Sequence, residues 1–219
     1  MKYIARYAQF VIRVFSGCRL LLHAVAIGAT FVLVWTGLDW AYLVYVLAQV
    51  PTSLLFVADF LGFAVPILVP LLFFILAIAF RQPLYRLYTE ATLYAVLLGF
   101  TLSTAIKTFT GRTSPPHFHH GEEQALVDNS YAFNFGFLNE SVIGGWPSSH
   151  ATIAFALAVT LTILLPPRWY IRASLFVPAL FIGIGVTFGF HWLSEFVAGA
   201  CLGTAIGLVV GGYYKKFSH

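Results

Sequence analysis

The chain has 219 residues, 60% of them hydrophobic and 9% charged, and a formal net charge of +4. A mean hydropathy of +0.87 excludes a soluble globular domain, and no nucleic-acid partner is expected. Most of the chain must sit in lipid, and its length suits a single domain, 1–219.

At the N-terminus, Lys2, Arg6 and Arg13 are scattered among Tyr3, Ile4, Tyr7, Phe10, Val11 and Ile12. The compact apolar core and small-residue cleavage site of a signal peptide are missing. Residues 1–20 therefore read as a retained amphipathic helix on a membrane surface. Apolar runs with at most one charge follow at about 21–38, 61–80, 87–106, 150–166, 173–190 and 192–212. Each approaches the length that crosses a hydrocarbon core of roughly 30 Å at about 1.5 Å per helical residue. Lipid offers the backbone no hydrogen-bond partner and the runs lack a barrel's alternation, so helices are expected. The fold class is all-α, a polytopic membrane protein with six transmembrane helices and interfacial helices.

The stretch 41–58, between Asp39 and Asp59, is apolar but interrupted by Gln49, Pro51, Thr52 and Ser53. Charge bias decides how to read it. With six spans, Lys2, Arg6, Arg13, Arg19, Arg81, Arg86, Arg168, Arg172, Lys215 and Lys216 all fall on one side, which the positive-inside rule makes cytoplasmic. A seventh span would split them. Residues 39–60 are therefore assigned to an outer interfacial segment, with both termini cytoplasmic. The compact single domain suggests a bacterial inner membrane. Cys18 and Cys201 have no CxxC spacing and carry no redox or metal signal.

Lys107 and Arg112 alone of the basic residues remain outside, at the start of the outer loop 107–149. Such a pair at a span end either holds an anion or snorkels to the interface. Further along the loop, His117, His119 and His120 precede Glu122 and Glu123. This cluster reads either as a hydrated loop or as a metal site. Pro147-Ser148-Ser149-His150 opens the fourth span, with a serine to cap the helix and first-turn N–H groups able to receive an anion. His191 and Glu195 lie four apart, on one face of a helix. A carboxylate there fixes the imidazole tautomer and leaves the other nitrogen free to attack; the alternative is a structural pair. On this topology His150 and His191 meet at the outer face.

Taken in order, these segments resemble the phosphatidic acid phosphatase type 2 (PAP2) superfamily, over roughly residues 60–212. That family's pattern is Lys-x6-Arg-Pro, then Pro-Ser-Gly-His, then Ser-Arg-x5-His-x3-Asp, on a six-helix membrane bundle with its site on the outer face. The resemblance implies that His191 is the nucleophile, Glu195 orients it, and His150 is general acid and then base. It also implies that Lys107, Ser148, Ser149 and neighbouring N–H groups bind phosphate, with no metal and no cofactor required. Ser149 replaces the motif glycine and Glu195 the aspartate. Ser114 stands at the first motif's arginine, and Ile184-Gly185 replace Ser-Arg.

Losing one such charged donor costs about 3 kcal/mol of transition-state stabilisation. Arg112 is expected to take over one clamping role, with Ser114, His117, His119 and His120 as auxiliary donors. The function implied is a lipid-phosphate phosphatase working through a phosphohistidine, its partners being the substrate and the bilayer. Phosphatidic acid, phosphatidylglycerophosphate, undecaprenyl diphosphate and lipid A stay open as substrates, as does the oligomeric state. Alternatives are a lipid phosphotransferase and a non-catalytic lipid-phosphate binding or transport module. The spans exclude the soluble vanadium-dependent haloperoxidases that share the motifs.

Overall fold

The structure, a computed structural model, describes residues 1–116, 127–139 and 145–218. The α-helices among them are α1 (Lys2–Val14), α2 (Leu20–Trp35), α3 (Leu38–Gln49), α4 (Thr52–Phe80), α5 (Pro83–Thr110), α6 (Ser149–Leu164), α7 (Trp169–Gly185) and α8 (Leu193–Tyr214). A 3-10 turn at Val186–Phe188 continues α7. Among the described residues the one β pairing is an isolated bridge between Arg112 and Phe133.

Five stretches are long and apolar enough to cross a membrane: Gly17–Trp35, Thr52–Phe80, Pro83–Thr110, Trp169–Phe188 and Leu193–Phe217. The outward faces of α2 and α4 expose Val25, Phe31, Trp35, Phe60, Ile67, Leu71 and Ile75, an apolar surface suited to lipid and not to water. The protein is an integral membrane protein. At 16 residues, about 24 Å, α6 is the short member, and α4, α5, α7 and α8 enclose it. A helix walled by protein need not match the thickness of the hydrocarbon.

Residues 39–60 divide between two helices, α3 and α4. Residues from Thr52 onward belong to α4, a continuous helix of 29 residues, so the helix that holds the second apolar run opens before residue 61. Pro51 is extended at φ −60° and ψ 130°. It ends the preceding helix and starts the next, which explains the polar cluster Gln49–Ser53 without an interfacial break.

Four glycines set the centre of the bundle. Gly199, Gly203, Gly207 and Gly211 form one stripe of α8 that faces α6. A Cβ at these positions would lie 2.6 Å from Ser148 O, 2.3 Å from Thr152 O, 2.5 Å from Val159 Cβ and 2.9 Å from Ile163 Cδ1, respectively. The helices thus meet backbone to backbone, the arrangement small residues permit in lipid. Their contact aligns the first turns of α6 and α8, where the Ser148 N–H donates to Glu195 O at 3.0 Å.

By connectivity, α2, α5 and α7 end where α4, α6 and α8 begin. That end carries the motif residues, whereas Arg81, Arg86, Arg168, Arg172, Lys215 and Lys216 lie at the connections of the opposite end. There α1 docks through buried Phe10 and Val14, and Arg6 bonds both Glu90 and Tyr214 at 3.0 Å.

Gly203→Ala is expected to destabilise the protein by about 1–3 kcal/mol, the scale of overpacking a tight contact. Gly212→Ala, which enters open space, leaves stability unchanged. Thermal midpoints of the two variants in one detergent check the difference.

Candidate active site

Three chain reversals bring the site together. At the end of α5, Gly111 takes φ +48° and its N–H bonds Lys107 O at 3.2 Å. A Cβ there would lie 2.3 Å from Asn134 O, so glycine meets both the conformation and the space. The chain then runs antiparallel to 132–138, with Thr113 N–H bonding Ala132 O at 3.1 Å and Asn134 N–H bonding Gly111 O at 2.9 Å. At the start of α6, Ser148 accepts from Ala151 N–H at 3.4 Å, a weak N-cap. The third reversal follows the 3-10 turn, where the N–H groups of Phe190 and His191 both donate to Val186 O.

These reversals place His191, Glu195 and Lys107 together in a buried cluster, their exposures being 3%, 0% and 3%. His191 Nδ1 is 2.6 Å from Glu195 Oε2. The carboxylate accepts, so Nδ1 carries the hydrogen and Nε2 presents its lone pair. Burial is the largest influence on the His191 imidazole and holds its pKa below the usual 6.5; Lys107 acts the same way, while Glu195 and Asp59 oppose it. The ring is therefore neutral at pH 7, as a nucleophile requires.

The His150 ring sits 6.0 Å from the His191 ring, centroid to centroid. One face of α4 seats it. Asp59 Oδ1 lies 3.4 Å from His150 Nε2, and Phe63 meets the imidazole edge-on at 5.0 Å. A Cβ on Gly62 would approach His150 Cδ2 to 2.3 Å. His150 Nδ1 is buried with no hydrogen-bond partner among the described residues.

The serines differ from one another. Ser148 is fully buried, and its N–H is committed to Glu195 O. It caps α6 and ties it to α8, and its N–H already has a protein acceptor. Ser149 Oγ accepts from Ser103 Oγ at 2.8 Å. The N–H groups of Ser149 and His150 occupy the first turn of α6, where the helix supplies no acceptor.

Arg112 is held on several sides by protein groups. It is 1% exposed, with Nη1 donating to Ser194 Oγ at 2.6 Å. Nη2 donates to Asp39 Oδ2 at 2.7 Å and to Ser130 O at 2.8 Å. Phe133 and Trp192 lie against the guanidinium at 4.9 and 5.5 Å, and Nε stops 3.7 Å from Glu195 Oε1. The cation is held behind Glu195 by protein groups.

Gly185, at the position of the third motif's arginine, packs against α4, where a Cβ would lie 2.3 Å from Ala58 Cβ. A longer side chain has no room there. Ser114 is half-buried and its carbonyl accepts from Asn129 Nδ2 at 3.3 Å; no hydrogen bond joins it to either histidine among the described residues. His117, His119 and His120, with Glu122 and Glu123, lie outside the described residues. Among those described, no three His, Cys, Asp or Glu side chains gather in a metal-binding group.

Sequence reasoning passed over Asp39, Asp59 and Ser194. The available signal was an ionisable residue flanking apolar sequence, which is costly in a membrane unless it has a partner; Asp39 and Asp59 were visible only as the limits of 41–58.

The sequence model of the PAP2 superfamily matches residues 88–218. That is more than half the chain, including Lys107, His150, His191 and Glu195 but not Asp39 or Asp59. No curated protein and no solved structure gives a significant match to the chain.

Two outcomes follow from this geometry. Asp59→Asn lowers kcat by about ten- to a hundredfold, because His150 loses the carboxylate that faces its Nε2 at 3.4 Å. For His191, whose pKa lies below 6.5, the active neutral form persists as pH falls through 6.5, and activity is lost only on passing below the depressed value. The pH profile of kcat/KM, measured from pH 4.5 to 8, checks the second: an acid limb at or above 6.5 that moves in Glu195→Gln would contradict it.

Proposed function

The chain belongs to the PAP2 superfamily, and we propose that it is a membrane phosphatase that hydrolyses a phosphomonoester or diphosphate of a lipid through a phosphohistidine. The observation that carries this reading is the His191–Glu195 pair at 2.6 Å, facing a second histidine at the first turn of α6.

In the first step, His191 Nε2 attacks phosphorus and the bond to the leaving oxygen breaks. His150, with Asp59 Oδ1 3.4 Å from its Nε2, gives a proton to that oxygen. In the second step, His150 takes a proton from water as the water oxygen attacks, the N–P bond breaks, and inorganic phosphate leaves. A ring separation of 6.0 Å keeps the two imidazoles near enough to act on one phosphoryl group. Lys107 and the N–H groups of Ser149 and His150 neutralise the equatorial oxygens. With one arginine replaced by serine, another by glycine, and Arg112 engaged elsewhere, these donors and His150 carry the anion.

A lipid substrate is supported by an apolar groove of about 290 Å³ between α2, α5 and α8, lined by Ala26, Ile27, Ile106, Pro147, Ala198 and Leu202. It begins beside Lys107 and Ser148, through their neighbours Ile106 and Pro147, which suits a chain whose headgroup lies at the histidines. The charge bias puts the site on the outer face of the membrane, with both termini cytoplasmic. The compact single domain favours a bacterial inner membrane. Transfer of the same phosphoryl group to a second lipid needs only an alcohol in place of water.

Phosphate release from phosphatidic acid, phosphatidylglycerophosphate, undecaprenyl diphosphate and lipid A is the test. His191→Ala and His150→Ala are expected to lose at least about a thousandfold, with an acid-labile phosphoryl adduct trapped on wild type and absent from His191→Ala. Phosphoryl transfer to a second lipid without phosphate release identifies a transferase. Binding of all four lipids with neither reaction sinks the enzymatic reading and leaves a binding module. Ala26→Phe, which narrows the groove, is expected to slow a long-chain substrate about tenfold more than a short water-soluble phosphate ester.

A further inference from the structure

A network of buried charge lies behind Glu195, and its acidic member, Asp39, comes from outside the family-matched region. Asp39, in the first turn of α3, is fully buried. Its Oδ1 accepts from Ser194 N–H at 2.8 Å and its Oδ2 from Arg112 Nη2 at 2.7 Å. Ser194 Oγ donates to the same Oδ2 and accepts from Arg112 Nη1. A second bond, Tyr42 hydroxyl to Thr187 Oγ1 at 2.7 Å, fastens α3 to the turn preceding His191. The helix thus grips both sides of the segment that carries the nucleophile.

The consequence lies in one distance. Arg112 Nε and Glu195 Oε1 face each other at 3.7 Å, beyond a hydrogen bond, and neither has another partner among the described residues. A guanidinium released to approach would form a strong, fork-like pair with Glu195. Held back by Asp39, Ser194 and Ser130, it leaves the carboxylate's one short hydrogen bond for His191.

We propose that Asp39, acting through Arg112 and Ser194, is a positioning residue that restrains the guanidinium and so keeps Glu195 directed at His191, making α3 part of the catalytic machinery. Neither Asp39 nor Arg112 contacts the phosphate. The inference rests on the phosphatase reading for its kinetic arm only.

Among the described residues, the charged and titratable groups around His191 are Glu195 on α8, Lys107 on α5, Asp59 on α4 and His150 on α6, with Arg112 and Asp39 behind Glu195. Replacing Asp39 by asparagine removes a negative charge and frees Arg112 to close on Glu195. Both effects lower the affinity of His191 for a proton.

The experiment compares wild type with Asp39→Asn in full-length protein reconstituted in nanodiscs, with Ser194→Ala as a second variant that removes only a hydroxyl. In Asp39→Asn, kcat is expected to fall by about ten- to a hundredfold with KM within about twofold, the pattern of a group that does not bind the ground state. The acid limb of kcat moves down by about one pH unit. Inhibition by inorganic phosphate is unchanged or slightly tighter, whereas a tenfold weaker inhibition would place Asp39 or Arg112 in the phosphate site and overturn the proposal. An unchanged kcat and acid limb would overturn it equally.

Titration of His191 by NMR of 15N-histidine-labelled protein reads the same downward shift without turnover. Should wild type hydrolyse no phosphate ester, the functional reading fails, while this titration still decides the restraint. If Asp39→Asn does not fold, Ser194→Ala must show a smaller shift in the same direction; an upward shift or none rejects the proposal.

Discussion

The close contact of α6 with α8 is the constraint on which the rest depends. Glycine every fourth residue lets the two backbones touch, and the contact determines where the helices begin relative to each other. One helix start carries His150 and the other follows directly on His191. A lateral displacement of even an ångström would alter the ring separation and break the Ser148 to Glu195 bond. In lipid there is no hydrophobic force to press helices together, so packing and polar contacts must hold this register. The site is therefore as accurate as the glycine seam beneath it.

Around that seam the electrostatics are local and paired. Charges removed from water at this depth are tolerated only with partners, and each histidine has its carboxylate: Glu195 at His191 Nδ1 and Asp59 at His150 Nε2. The two pairs have different distances, 2.6 and 3.4 Å, and different surroundings. The tight pair favours a neutral ring with a fixed tautomer, suited to attack. The looser pair sets a carboxylate near a His150 nitrogen without a short hydrogen bond. Two chemically identical side chains thus sit in different electrostatic surroundings.

Much of this was legible in the sequence. Apolar runs between basic clusters located the bundle, and the spacing of His191 and Glu195 announced their bond. Pro51 was read as an interruption because a short polar cluster inside an apolar stretch has no helical period of its own; only the chain's continuation as α4 distinguishes a helix start from a surface break. Arg112 was assigned to phosphate because sequence proximity to Lys107 says nothing about direction. After Gly111 turns the backbone, the two side chains part company, Lys107 remaining on α5 and Arg112 pairing with residues 39, 130 and 194. Contacts across such separations have no local signature.

Gly185 and Asp59 together give a physical reason for the absence of an arginine at 185. The space that an arginine at 185 would fill is taken by Ala58 of α4, one residue before the aspartate that faces His150. Bringing α4 this close supplies a carboxylate and excludes a guanidinium in a single packing event. A chain packed this way holds less fixed positive charge at this end of the bundle than arginines at 114 and 185 would supply, and Lys107 and the α6 N-terminus carry more of it. An inventory of motif residues alone would count this only as a loss; in the folded chain it is an exchange of one kind of electrostatic support for another.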